Sequence, residues 1–160
     1  MKQHGVTMVE LLLAMGIAAL LAFVATPNFS TFIEGRRVRA SAEQLRDMLV
    51  LAGQEALKRN APVIVKSQDN VITANIAAFG ASDAVALAEV RTWARIADSS
   101  VTLNGSGRAS SSTMFAVTPL RSSCKAAGGQ VACYNVQVKN GGAVRLCDPT
   151  YPSGDVRACL

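Results

Sequence analysis

The chain has 160 residues, of which 50% are hydrophobic, 17% are charged and 5% are aromatic, and its formal net charge is +5. This length corresponds to about one domain and excludes a large multidomain enzyme, and the composition is too apolar for a disordered protein. The positive charge is compatible with an anionic partner but does not require one.

An apolar stretch lies close to the N-terminus. Val6 to Thr26 contains one charged residue, Glu10. As a helix, this stretch would be about 31 Å long, which is enough to cross a hydrocarbon core of about 30 Å. Because a carboxylate in lipid costs at least about 2.5 kcal/mol, Glu10 is predicted to be a functional residue with a charged partner.

Three interpretations of this stretch compete. A secretory signal cleaved after Ala25 would place Phe23 where a small residue is needed. A plain membrane anchor leaves Glu10 unexplained. We favour a short basic leader that ends at Gly5, because its removal would leave the helix attached and place Glu10 one helical turn from the new amino group of Val6.

The segment Gly5-Val6-Thr7-Met8-Val9-Glu10-Leu11, followed by an apolar run and Pro27, resembles the N-terminal signal of type IV pilins and type II secretion pseudopilins. The resemblance implies that a prepilin peptidase cuts between Gly5 and Val6 and N-methylates Val6, although Phe or Met is more usual than Val at this position. It also implies that the retained helix packs into a filament core. Since opposite charges escape part of their desolvation cost by pairing, the amine of a neighbouring subunit would pair with Glu10 and set the axial register.

The helical pattern continues beyond Pro27. Apolar residues recur at steps of three and four at Val38, Ala42, Leu45, Met48, Leu49, Ala52 and Ala56, and Asn60-Ala61-Pro62 is a stop signal. We therefore predict one helix from Val6 to Asn60, kinked or locally unbonded at Pro27. Polar-face pairs are expected between Glu34 and Arg37, between Glu43 and Arg46, and between Glu55 and Lys58 or Arg59.

The remainder of the chain has short β-prone runs separated by turn residues. The runs are residues 63–65, 71–73, 101–103, 114–117, 134–138 and 143–146. An antiparallel sheet packed on the helical stripe gives an α+β fold. Residues 77–98 remain open between a short helix at 84–94 and a strand at 90–96.

Two further segments, Asn104–Ala109 and Gly142–Cys147, resemble the GspH/FimT/FimU branch of minor pilins and minor pseudopilins. This resemblance implies a minor pilin that joins other minor pilins and the major pilin in an initiation or tip complex. The alternative is a minor pseudopilin of a type II secretion system. The expected organisation is a cleaved leader at 1–5, a transmembrane and assembly half-helix at 6–33 and a periplasmic globular domain at 34–160.

The orientation in the inner membrane depends on two opposing observations. Arg36, Arg37 and Arg39 follow the apolar stretch, whereas Lys2 precedes it, and this distribution of positive charge favours the reverse orientation. The four cysteines favour an oxidising compartment for the C-terminal part. We expect the globular domain to be periplasmic, in a single-pass protein that is later incorporated into a pilus at the cell surface.

Cys124, Cys133, Cys147 and Cys159 allow three pairings. Local pairing of Cys124 with Cys133 and of Cys147 with Cys159 is favoured, since it closes two short loops. Zinc is disfavoured because the chain has no CxxC pair and its one histidine, His4, lies in the predicted leader. The same lack of histidine argues against Ser-His or Cys-His catalysis. We expect no enzymatic activity, metal or cofactor.

A stretch without acidic residues runs from Ser99 to Cys147 and contains Lys139 and Arg145, and Arg157 follows it. These cations form either a solvated basic face or a phosphate-binding surface for DNA. DNA-binding pilins of the FimT type carry a Gly-Arg-x-Arg motif. Gly142-Ala143-Val144-Arg145 lacks the first of these arginines, which weakens the DNA hypothesis.

Overall fold

One long helix precedes eight strands in a computed structural model that describes residues 7–77 and 85–159, with only the backbone at 24–28. Helix α1, Met8–Arg59, has 52 residues and would be about 78 Å long if straight. Thr7 caps its N-terminus. Asn60 ends it in the left-handed conformation, and the Asn60 N–H donates to the carbonyl oxygens of Ala56 and Leu57. The helix continues through Pro27, as predicted.

The strands form two antiparallel sheets rather than one. Their bounds are β1 Val63–Gln68, β2 Val71–Ile76, β3 Val85–Arg91, β4 Arg95–Ile96, β5 Ser99–Leu103, β6 Thr113–Thr118, β7 Tyr134–Val138 and β8 Val144–Cys147. The first sheet has the order β3-β2-β1-β5 and the second the order β4-β6-β7-β8. A short 3₁₀ helix, Lys125–Ala127, precedes β7. The α+β class is confirmed, and both sheets contact α1.

The predicted stripe on α1 forms the helical side of the core. All seven stripe residues, from Val38 to Ala56, are at most 5% exposed. Opposite them lie inward-facing residues of both sheets, including Val65, Ile72, Phe115 and Val136. Because three of the seven stripe residues are alanines, the backbone of α1 can approach the sheets closely.

The segment 77–98 contains no helix in its described part, so of the two alternatives left open the helix at 84–94 is not observed, and the strand at 90–96 is matched only at its two ends. The chain forms β3 and β4 instead, and residues 78–84 lie outside the described residues. Strand β3 is an edge strand paired with β2, and the register shifts between Ala74 and Asn75. Its side chains do not alternate cleanly between buried and exposed, which removes the period that would identify a strand in sequence.

Candidate functional site

The first half of α1 exposes large apolar side chains. Ten of them are more than half exposed: Met8, Val9, Leu11, Leu12, Leu13, Met15, Ile17, Leu20, Leu21 and Phe23. Phe29 and Phe32 are exposed further along, and among the helix residues whose side chains are described the first buried one is Val38. The described part of α1 thus consists of an apolar projecting half and a half that is packed in the globular domain.

Glu10 lies in the first turn of α1 and is exposed. Its backbone N–H donates to Oγ1 of the N-cap Thr7 at 3.3 Å. Sequence reasoning missed this cap, although Thr7-Met8-Val9-Glu10 has the spacing of a capping box. Gly5 and Val6, the predicted cleavage and methylation residues, lie outside the described residues.

The described residues contain no helix that is both long enough and apolar enough to cross a membrane. The expected transmembrane segment, residues 6–33, therefore stays a prediction.

Glu34 lies where the two halves of α1 meet and binds the loop between β6 and β7 of the globular domain. Its carboxylate accepts a hydrogen bond from the backbone N–H of Arg121 at 2.8 Å. Partial burial opposes ionisation, but hydrogen bonds from Arg121, Ser122 and Leu120 outweigh it and lower the pKa of Glu34. The predicted Glu34–Arg37 pair is not observed because the carboxylate binds the loop between β6 and β7.

Two other predicted helix pairs have different outcomes. Glu55 contacts Lys58 at 3.6 Å and Arg59 at 2.8 Å, as expected. Glu43 instead contacts Arg39, one turn earlier, at 2.9 Å, rather than Arg46. These pairs are exposed on the arginine or lysine side and contribute little to stability.

The cysteines form two disulfides, Cys124–Cys133 and Cys147–Cys159, which is the local pairing favoured from the sequence. The first closes the loop that contains the 3₁₀ helix, and the second joins the end of β8 to the C-terminal loop. Within the described residues, no group of three or more His, Cys, Asp or Glu is placed to hold a metal ion.

The three predicted DNA-contacting residues differ in their surroundings. Lys139 is exposed after β7. A side-chain nitrogen of Arg145 donates to the backbone carbonyl of Val156. Arg157 contacts Asp155 at 3.0 Å, and its guanidinium carbon lies 3.8 Å from the centre of the Tyr151 ring. The hydrogen bond that the Arg157 side chain donates to the carboxylate of Asp155 raises the pKa of Arg157. Two of the three cations are thus held by contacts with the C-terminal loop.

The comparisons with known proteins match both the N-terminal segment and the fold. Residues 1–26 match the prokaryotic N-terminal methylation motif. A crystal structure of the type IV minor pilin FimU from Pseudomonas aeruginosa aligns with a TM-score of 0.56 over 78% of this chain and 95% of that one, at 16% identity. The chain therefore shares the fold of FimU and carries an N-terminal segment that matches the methylation motif. A second FimU crystal form aligns with this chain at a TM-score of 0.50 over 73% and 94% of the two chains, at 17% identity. No curated protein matches the chain in sequence.

Proposed function

We propose that the chain is a minor type IV pilin with a structural role. A prepilin peptidase cleaves it between Gly5 and Val6 and N-methylates Val6. The protein is then held in the inner membrane by residues 6–33, with its globular domain in the periplasm. From there it joins other minor pilins and the major pilin in the complex that primes pilus assembly.

The observation that carries this proposal is the contrast between the two halves of α1. Burying one large apolar side chain gains about 1.5–3 kcal/mol, so the exposed apolar half of α1 is unfavourable in water. Lipid can cover this half before assembly, and the helices of other pilins can cover it afterwards. The likeness to FimU, a minor pilin, supports the minor role.

Glu10 supplies the specificity that apolar packing lacks. An apolar helix can shift along its neighbours with little change in the apolar surface that it buries. A buried carboxylate, in contrast, needs a positively charged partner at one position. The methylated amine of Val6 in an adjacent subunit is the proposed partner. Thr7 accepts a hydrogen bond from the backbone N–H of Glu10, which fixes Glu10 in the first turn of the helix.

The test replaces Glu10 by alanine and follows the protein in the producing cell. The E10A variant should be cleaved and retained in the membrane fraction but depleted from sheared pili or from affinity-purified minor pilin complexes. The matched control is Glu43→Ala, because Glu43 is a half-exposed glutamate on the globular half of the same helix. Normal incorporation of E10A would refute the role of Glu10, and a mature protein that begins at residue 26 or later would refute the whole proposal.

Two related functions share the fold and need their own measurements. If the chain is a pseudopilin of a type II secretion system, deletion of its gene should abolish enzyme secretion rather than twitching motility. A DNA-uptake pilin would shift duplex DNA at low salt, and Lys139→Ala would weaken that shift. The intramolecular contacts of Arg145 and Arg157 do not favour this last function.

A further inference from the structure

Arginine and tryptophan side chains are concentrated where α1 leaves the globular domain. We refer to Arg36, Arg37, Arg91, Trp93 and Arg95 as the junction cluster; all five are exposed. Arg36 and Arg37 are on α1, Arg91 ends β3 and Arg95 begins β4. From Val90 to Ala97 the chain has no acidic residue. This cluster was not singled out from the sequence, because its two parts are more than fifty residues apart.

One direct contact, between Arg37 and Trp93, joins these two parts. The guanidinium carbon of Arg37 lies 6.0 Å from the centre of the Trp93 ring, and that of Arg36 lies 5.0 Å from the centre of the Phe32 ring. Trp93 is nevertheless 68% exposed. Thr92 is buried beside it, with Oγ1 3.0 Å from the carbonyl oxygens of Asn70 and Ala94, so the backbone that presents Trp93 is anchored.

The position of the cluster along α1 corresponds to the surface of a membrane. The 28 residues from 6 to 33 would extend about 42 Å as a helix, and a bilayer with its headgroups is about 40–45 Å thick. From Leu11 to Ile33 the chain carries no charge. Arg37 follows Ile33 by four residues, or about 6 Å of helix, so its backbone lies just outside the headgroup layer and its long side chain can reach back to the headgroups.

We propose that the junction cluster docks the globular domain onto anionic phospholipid headgroups of the membrane in which α1 is anchored. The inference rests on the proposed function, because it requires that anchor. Guanidinium groups bind phosphate through paired hydrogen bonds, and tryptophan prefers the membrane interface. The chemistry of the cluster and its continuity with the apolar half of α1 favour this partner over a soluble polyanion. Docking to headgroups also gives Arg36 and Arg37 a role that does not depend on how positive charge is distributed on the two sides of the apolar stretch.

The test uses the fluorescence of Trp93, which is the chain's one tryptophan. The full-length protein is reconstituted into phosphatidylcholine vesicles with and without phosphatidylglycerol, and vesicle flotation is measured together with acrylamide quenching. Phosphatidylglycerol should reduce the quenching and shift the emission to shorter wavelength. Salt at 1 M should reverse both changes, because the Debye length falls from about 10 Å at 0.1 M to about 3 Å.

Two double variants separate the cluster from general charge. Arg36→Gln with Arg37→Gln should lower the ratio of docked to undocked protein about 30-fold, and either change alone about 5-fold. Lys58→Gln with Arg59→Gln removes the same charge from α1, about 33 Å away along the helix, and should leave the ratio unchanged. Because Arg37→Gln removes a direct neighbour of Trp93, the response of each variant to phosphatidylglycerol is compared with that variant's own emission in phosphatidylcholine alone.

The remaining outcomes overturn the inference in distinguishable ways. Failure to float with either vesicle would refute the membrane anchor and the inference with it. Flotation with both, but with quenching that does not depend on phosphatidylglycerol, would refute the docking alone. Quenching of Trp93 by a single-stranded oligonucleotide without any response to anionic vesicles would assign the cluster to nucleic acid instead.

Discussion

Replacing Leu45 by alanine should destabilise the globular domain far more than the same replacement at Leu51. Both residues are leucines on α1, but Leu45 is fully buried in the core and Leu51 is 44% exposed. The comparison therefore measures how much the contact between helix and sheets contributes, with helix propensity and chemistry held constant.

The expected magnitudes follow from burial. Leucine to alanine removes three carbon atoms, worth about 0.8 kcal/mol each when fully buried, and a cavity in the core adds to this loss. For Leu45 the total should be about 3–4 kcal/mol. Leu51 lines an open groove beside Ala88 and Val90 of β3, where solvent can fill the space, so its loss should be about 1 kcal/mol.

Urea unfolding of the full-length protein in detergent, followed by circular dichroism, gives both free energies. The urea concentration at the midpoint of unfolding should fall in L45A. The slope of the free energy of unfolding against urea concentration should change little, because the surface exposed on unfolding stays similar. If the two variants unfolded at the same urea concentration, the packing of α1 against the two sheets would not be the main source of stability.

Three further predictions concern single features of the globular domain. Cys147→Ala with Cys159→Ala should lower the free energy of unfolding by about 3 kcal/mol, as expected for a closed loop with a sequence separation of 12, and non-reducing peptide mapping checks the pairing in the parent. Gly142→Ala should lower the free energy of unfolding by more than about 2 kcal/mol in thermal melts, because φ at Gly142 is +85° and a Cβ would lie 2.2 Å from the carbonyl oxygen of Gly107. The control is Gly141→Ala, whose Cβ would meet no atom within 4 Å and which should have a small effect. Equal losses of stability in the two variants would contradict this explanation. The pKa of Glu34 is lowered from its ordinary value of 4.5, so its contribution to stability is present above pH 4.5 and is lost as the pH falls through the folded-state pKa. Glu34→Gln should therefore flatten the dependence of the free energy of unfolding on pH in that range. An unchanged pH dependence would refute the assignment.

The sequence by itself determined the features that depend on near neighbours along the chain. The three- and four-residue period fixed the buried stripe of α1, and Asn60 marked the helix end to within a residue. Turn residues located six of the strands. The segment around Gly5 and Glu10 indicated a pilin-like N-terminus, and residues 1–26 match the N-terminal methylation motif. Each of these features is a local pattern of propensity, capping or spacing, and tertiary contacts did not override it.

Tertiary structure decided which distant groups meet. Glu34 binds a loop 87 residues away instead of Arg37 one turn along, and Arg145 binds the C-terminal loop instead of remaining free for phosphate. The division of the strands into two sheets and the contact between Arg37 and Trp93 belong to the same class. Such contacts depend on how the sheets pack against α1, because a polar side chain has several possible hydrogen-bond partners nearby in sequence and the packed core selects among them and more distant groups.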